Sequence, residues 1–150
     1  MFNLNGKNAL ITGASGGIGR AIAETLHTSG ATLTISGTRM EPLEELARSL
    51  GDRVHIMGCD LSNGVEVENL SKSAQEKMGS VDILVNNAGI TRDNLFLRMT
   101  DEDWASVLEV NLTSTMKLCR GVLRGMMKSR RGRIVNNGSV VCINRYTGQG

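Results

Sequence analysis

Residues 7–19 read KNALITGASGGIG, and this stretch decides how the rest of the chain is read. Its first half is a short apolar run closed by a glycine, the pattern of a strand buried in a parallel sheet. Its second half opens a helical stretch in which Ile18, Ile22 and Leu26 recur every fourth residue until Gly30. Between the two lie glycines with distinct tasks. Gly13 permits a tight turn, Gly17 lets the backbone approach a pyrophosphate, and Gly19 lets helix and strand pack closely. The amides that begin the helix then face the phosphates, aided by the helix dipole. Glycines alone mark ordinary turns; the strand before them and the helix after them make the pattern specific.

The same alternation continues outward. ATLTISG (31–37) reads as a second strand, followed by a helix with Leu43, Leu46, Ala47 and Leu50 on one face, Pro42 in its first turn and Gly51 at its end. RVHIMGCD (53–60) is a third strand, after which Ser62 is placed to cap a helix carrying Val67, Leu70, Ala74 and Met78. VDILVNNAG (81–89) is the fourth strand. TDED (100–103) resembles a capping box opening one long helix through Trp104, Leu108, Leu112 and Leu118. GRIVNNGS (132–139) is the fifth strand and looks buried. Five strands alternating with four helices predict an α/β fold, a Rossmann-type doubly wound parallel sheet forming a single domain over residues 1–150. Ligands in such sheets bind beyond the carboxyl ends of the strands, where strand order reverses.

Bulk properties narrow the function classes. A net charge of +2 is too weak to point to nucleic acid, and no run reaches the roughly twenty apolar residues of a membrane span. The N-terminus lacks the pattern of a secretory signal. Cys59, Cys119 and Cys142 share no zinc or disulfide spacing, so reduced thiols and a cytoplasmic location are expected. His27 and His55 stand alone in sequence and are read as structural, and no metal site is expected.

The end of the second strand speaks to cofactor choice. An acid there would bind the ribose hydroxyls of NAD, but SGTR (36–39) offers Thr38 and Arg39 and no carboxylate. A solvated loop cation is the plainer reading of Arg39 taken alone. The missing acid and the present base together favour NADP.

The glycine spacing at 12–19, NNAG at 86–89, Asn111 in the long helix and Ser139 after the fifth strand together resemble the short-chain dehydrogenase/reductase family. NNAGITRDNLFLRMTDEDW (86–104) and GRIVNNGSVV (132–141) are most similar to its branch that reduces 3-oxoacyl groups on acyl carrier protein in bacterial fatty-acid synthesis. The resemblance implies an NADPH/NADP site at Gly13, Ala14, Ser15, Gly16, Ile18, Thr38, Arg39, Asp60, Leu61, Asn87, Ala88 and Gly89. It implies that Asn111 and Ser139 belong to a catalytic tetrad completed by Tyr-x3-Lys. Tyr146 does not fit that pair, because Gly150 rather than lysine stands four positions on. The pair is therefore expected beyond Gly150, with these residues the N-terminal portion of a longer homotetrameric enzyme and inactive by themselves. KSRRGR (128–133) reads as a solvated turn or, as the resemblance implies at Arg130, a docking patch for acyl carrier protein that would include Arg131. Two alternatives stay open: a reductase for another ketone, and a nucleotide-binding protein without turnover.

Overall fold

The computed structural model describes residues 3–93 and 95–138. Its centre is β1 (Asn8–Thr12), whose Ala9, Leu10 and Ile11 are wholly buried. β1 pairs in parallel with β2 (Thr32–Gly37) on one side and β4 (Ile83–Asn86) on the other. β3 (Val54–Gly58) joins β2, and β5 (Arg133–Asn136) joins β4, giving the order β3-β2-β1-β4-β5. The chain thus winds outward in one direction from β1, returns, and winds out in the other. The reversal lies between β1 and β4, where the doubly wound topology leaves a crevice.

Because successive strand residues face opposite ways, β1 divides its side chains between two cores. Ile11 joins Ala9, Leu33, Ile35 and Val85 under Ala23, Leu43 and Leu46 of α1 (Gly17–Thr28) and α2 (Met40–Leu50). Leu10 and Leu84 meet Val67, Leu70 and Ala74 of α3 (Gly64–Met78), with Leu118, Val122 and Met126 of α5 (Ser114–Ser129). Helices therefore cover both faces, as the alternation predicts.

Several local expectations are corrected. The long fourth helix is interrupted: α4 (Asp101–Leu108) passes through a π-helical turn, Glu109–Thr113, into α5, so among the described residues five α-helices replace four. Its start is as expected, with Thr100 and Asp103 forming a reciprocal capping box. Its buried face is different. Val110, Ser114, Leu118, Val122 and Met126 turn inward, while Trp104 and Leu112 are 56% and 62% exposed. The π turn adds residues to one turn, which rotates the apolar register between its two sides. Asn63, not Ser62, caps α3, its Oδ1 accepting from the Val65 and Glu66 amides. Ile18 is 67% exposed, because the glycine-bearing side of α1, with Gly19 and Ala23, is the one pressed to the sheet. β5 is exposed along its length, as it pairs only with β4 among the described residues. His27 has a structural role, as expected: its Nε2 lies 2.9 Å from the Asp52 carbonyl and 3.8 Å from its carboxylate, joining α1 to the turn before β3.

Among the described residues no helix is long and apolar enough to cross a membrane. The RRG turn expected before β5 closes α5 through Arg130, which adopts a left-handed conformation at φ 53°. The Arg130 and Arg131 amides return to the Met127 and Met126 carbonyls. Both arginines are exposed.

Candidate functional site

A cleft of about 430 Å³ opens at the carboxyl ends of β1, β2 and β4. Its floor is the turn from β1 into α1. Gly13 sits at φ +67°, and a Cβ there would fall 2.8 Å from Ala88 Cα. A Cβ on Gly19 would collide with the Gly13 carbonyl oxygen, so α1 approaches the sheet as closely as backbone permits. The helix is capped by Gly16, which has no side chain to accept from the first-turn amides, and that turn holds no acidic residue. Its amides and positive dipole end are left for an anion.

The wall beside β2 holds Thr38 and Arg39. The Arg39 guanidinium reaches back across the glycine-rich loop, donating from Nη2 to the Ser15 carbonyl at 2.9 Å. No carboxylate stands at the end of β2.

At the end of β3, the Asp60 carboxylate accepts from the Ser62 hydroxyl at 2.7 Å and the Ser62 amide at 2.9 Å. The hydroxyl first and the amide second hold its pKa below the usual value, so it is ionised and oriented at neutral pH. Its own amide donates to Glu66 Oε2 at 2.8 Å. Cys59 lies beneath it, and burial, reinforced by the charges of Glu66 and Asp60, pushes its thiol up to about 11. The thiolate is the reactive form, so Cys59 should resist iodoacetamide at pH 8 in the native state and react once urea unfolds the chain. Rapid native alkylation, mapped by peptide mass, would contradict this burial.

The turn after β4 is held from below. The buried Thr12 hydroxyl accepts from the Asn87 and Ala88 amides at 3.1 and 3.2 Å. Asn87 Nδ2 donates to the Thr12 and Gly13 carbonyls. Asn111 lies in the π turn just behind. Its Oδ1 accepts from the Ile90 amide at 2.8 Å and its Nδ2 donates to the Ile90 carbonyl at 2.9 Å. One side-chain amide thereby satisfies both backbone groups of Ile90.

Of the cofactor residues expected from sequence, Gly13, Ser15, Gly16, Ile18, Thr38, Arg39, Asp60, Leu61, Asn87, Ala88 and Gly89 all line the cleft. Ala14 does not: it is buried, its amide donating to the Ser36 carbonyl at 3.0 Å. Asn111 adjoins the cleft without lining it, and Ser139 and Tyr146 lie outside the described residues. Sequence reasoning passed over Thr12, Ile90 and Asn137. For Thr12 a signal existed, since a hydroxyl at the buried end of a strand needs a partner.

Residues 7–150 match the family described as short chain dehydrogenase. The chain belongs to the short-chain dehydrogenase family. It is 54% identical over 149 residues to Nodulation protein G of Rhizobium sp. (strain N33), covering 99% of this chain and 61% of that protein. It is 50% identical to the 3-oxoacyl-[acyl-carrier-protein] reductase FabG of Vibrio cholerae and 46% identical to that of Escherichia coli (strain K12), each over 93% of this chain and 57% of the relative. The chain thus spans about three-fifths of the length of the curated relatives it matches. Short-chain dehydrogenase membership accounts for the Rossmann-like topology, because the glycine-rich turn and the β4 turn that bound the cleft fall inside the matched residues.

Proposed function

We propose that this chain supplies the nucleotide site of an NADPH-dependent reductase acting on 3-oxoacyl groups carried by acyl carrier protein. The observation that carries the cofactor half is the pairing of Arg39 with the glycine-rich loop, at a strand end without a carboxylate. The cleft fits a dinucleotide on its own geometry: uncapped amides at α1 for the pyrophosphate, and a cation at the β2 end for a 2′-phosphate. Asp60 and Leu61 would border the adenine, and Asn87 to Gly89 the remaining length of the groove. NADPH, when bound, supplies the hydride; the chain's own residues hold and orient it. Asn111 fixes Ile90 at the far end of the cleft, and Ser139 is assigned the hydrogen bond to the substrate carbonyl. Proton delivery to the substrate oxygen calls for a tyrosine beside a cation, because free tyrosine, with a pKa of about 10, needs an adjacent cation to work near neutrality.

The substrate half rests on the reductases from Vibrio cholerae and Escherichia coli, whose names specify it. The exposed Arg130 and Arg131 suit an acidic carrier. A homotetramer in the cytoplasm completes the reading, and the exposed Trp104, Leu112, Met116 and Leu123 along α4 and α5 support burial against another copy.

Cofactor choice is the direct test. A charged hydrogen bond to phosphate contributes about 1.5–3 kcal/mol, so NADPH should bind roughly 10- to 100-fold tighter than NADH. Thr38→Asp should reverse the order by setting a carboxylate against the 2′-phosphate. Thr38 is a cleaner site for it than Gly37, where an added Cβ would lie 2.8 Å from Ser15 Oγ. Equal affinity for both nucleotides, measured by fluorescence titration, would remove Arg39 from the role.

A further inference from the structure

We propose that Asn137 is a positioning residue: it ties the end of β5 to the glycine-rich loop through the side chain of Asn87. The Asn137 amide donates to the Asn86 carbonyl at 2.9 Å, extending the β4–β5 ladder one residue past the strand. Its Nδ2 donates to Asn87 Oδ1 at 2.8 Å. Asn87 Nδ2 in turn donates to the Thr12 carbonyl at 3.1 Å and the Gly13 carbonyl at 3.2 Å. Both hydrogens of that amide are committed, and its oxygen is held by Asn137. A flip of Asn87 would set its oxygen against two carbonyls and its NH2 against the Asn137 NH2. The two carbonyls fix the orientation of Asn87, and Asn137 locks to the oxygen that this orientation presents.

Asn87 is well placed to pass this on. Its Nδ2 lies 3.0 Å from where a Gly13 Cβ would be, and 2.7 Å from where a Gly19 Cβ would be. It fills the corner in which β1, the glycine-rich turn and α1 meet. The preceding rung behaves differently. Asn86 Nδ2 donates to Asn136 Oδ1 at 2.8 Å and lies 3.5 Å from Cys119 Sγ, so that pair faces α5. Consecutive rungs point to opposite faces of the sheet, and only the second reaches the loop. Since Asn137 is exposed, water can replace its bond at little cost in folding stability. What it sets is the height of the β5 end, two residues before Ser139, relative to the loop that takes the phosphates. This inference rests on the nucleotide reading above.

The test uses Asn137→Asp, which keeps the size but turns the donor into an acceptor facing Asn87 Oδ1, beside Asn137→Ala. NADPH affinity should fall about tenfold in the first and about threefold in the second, while both melt alike. In an Asn87→Ala background, Asn137→Asp should have no further effect. Without nucleotide, hydrogen exchange at the residue 13–19 amides should be faster in Asn137→Asp than in the parent. Unchanged exchange overturns the proposal, and so does an affinity loss that persists without the Asn87 side chain. A parent chain that fails to bind NADPH would sink the nucleotide reading, while the exchange measurement still decides Asn137.

Discussion

Gly19→Ala should destabilise the protein by about 3 kcal/mol or more and abolish nucleotide binding, although it adds a single methyl group. In an exposed helix, alanine would be the better residue by roughly 1 kcal/mol. Here the new Cβ would overlap the Gly13 carbonyl oxygen and stand 2.7 Å from Asn87 Nδ2. Neither neighbour can withdraw. Gly13 is backbone, held at φ +67° with Ala88 Cα behind it, and Asn87 is pinned to two carbonyls. Helix α1 would have to move off the sheet, carrying its first-turn amides away from the cleft. Gly17→Ala is the control two residues earlier, because a Cβ there meets no heavy atom within 4 Å. It should keep full stability. Urea unfolding followed by circular dichroism separates the two, and equal midpoints would show that the close helix–strand approach is not required.

How far the sequence can be read depends on whether a property repeats along the chain. The doubly wound sheet is legible because each element repeats a pattern set by backbone geometry, apolar runs of strand length and fourfold spacing in helices. The cleft is legible because its residues follow strand ends, so topology collects them without knowledge of side-chain direction. Directions are where reading fails. Ile18 has helical spacing but points outward, since glycines rather than apolar residues define the packed side of α1. Trp104, Leu108 and Leu112 form an apparent stripe, yet the π turn shifts the register and the core takes Val110 and Ser114. Asn63 displaces Ser62 as cap because Asp60 has already engaged the Ser62 hydroxyl. Such competition between nearby polar groups is decided by a few ångströms. Cross-strand contacts such as Asn137 to Asn87, 50 residues apart, leave no local pattern at all.

Thr12 does leave a local signal, a hydroxyl at the buried end of a strand, and Thr12→Val should destabilise by about 2–4 kcal/mol. The two side chains have nearly the same volume, so the packing of this buried site is retained. What disappears is one oxygen that accepts from two backbone amides, those of Asn87 and Ala88. Each donor left without a partner costs about 1–3 kcal/mol, and the middle of that range applies because both residues are half-buried. Burying an extra methyl returns roughly 1 kcal/mol at most. Thr12→Ser makes the opposite exchange, keeping the hydroxyl and losing the methyl, and should cost only about 1 kcal/mol. The order of the two variants therefore distinguishes the causes. If apolar burial governed the site, valine would be at least as stable as threonine and serine would be the worse replacement. If the hydroxyl holds the β4 turn, valine is the worse one, and nucleotide affinity falls with it because Asn87, Ala88 and Gly89 line the cleft through that turn. Denaturant midpoints for the two variants, compared with NADPH titrations of each, decide between them; a valine variant as stable as the parent would release Thr12 from this role.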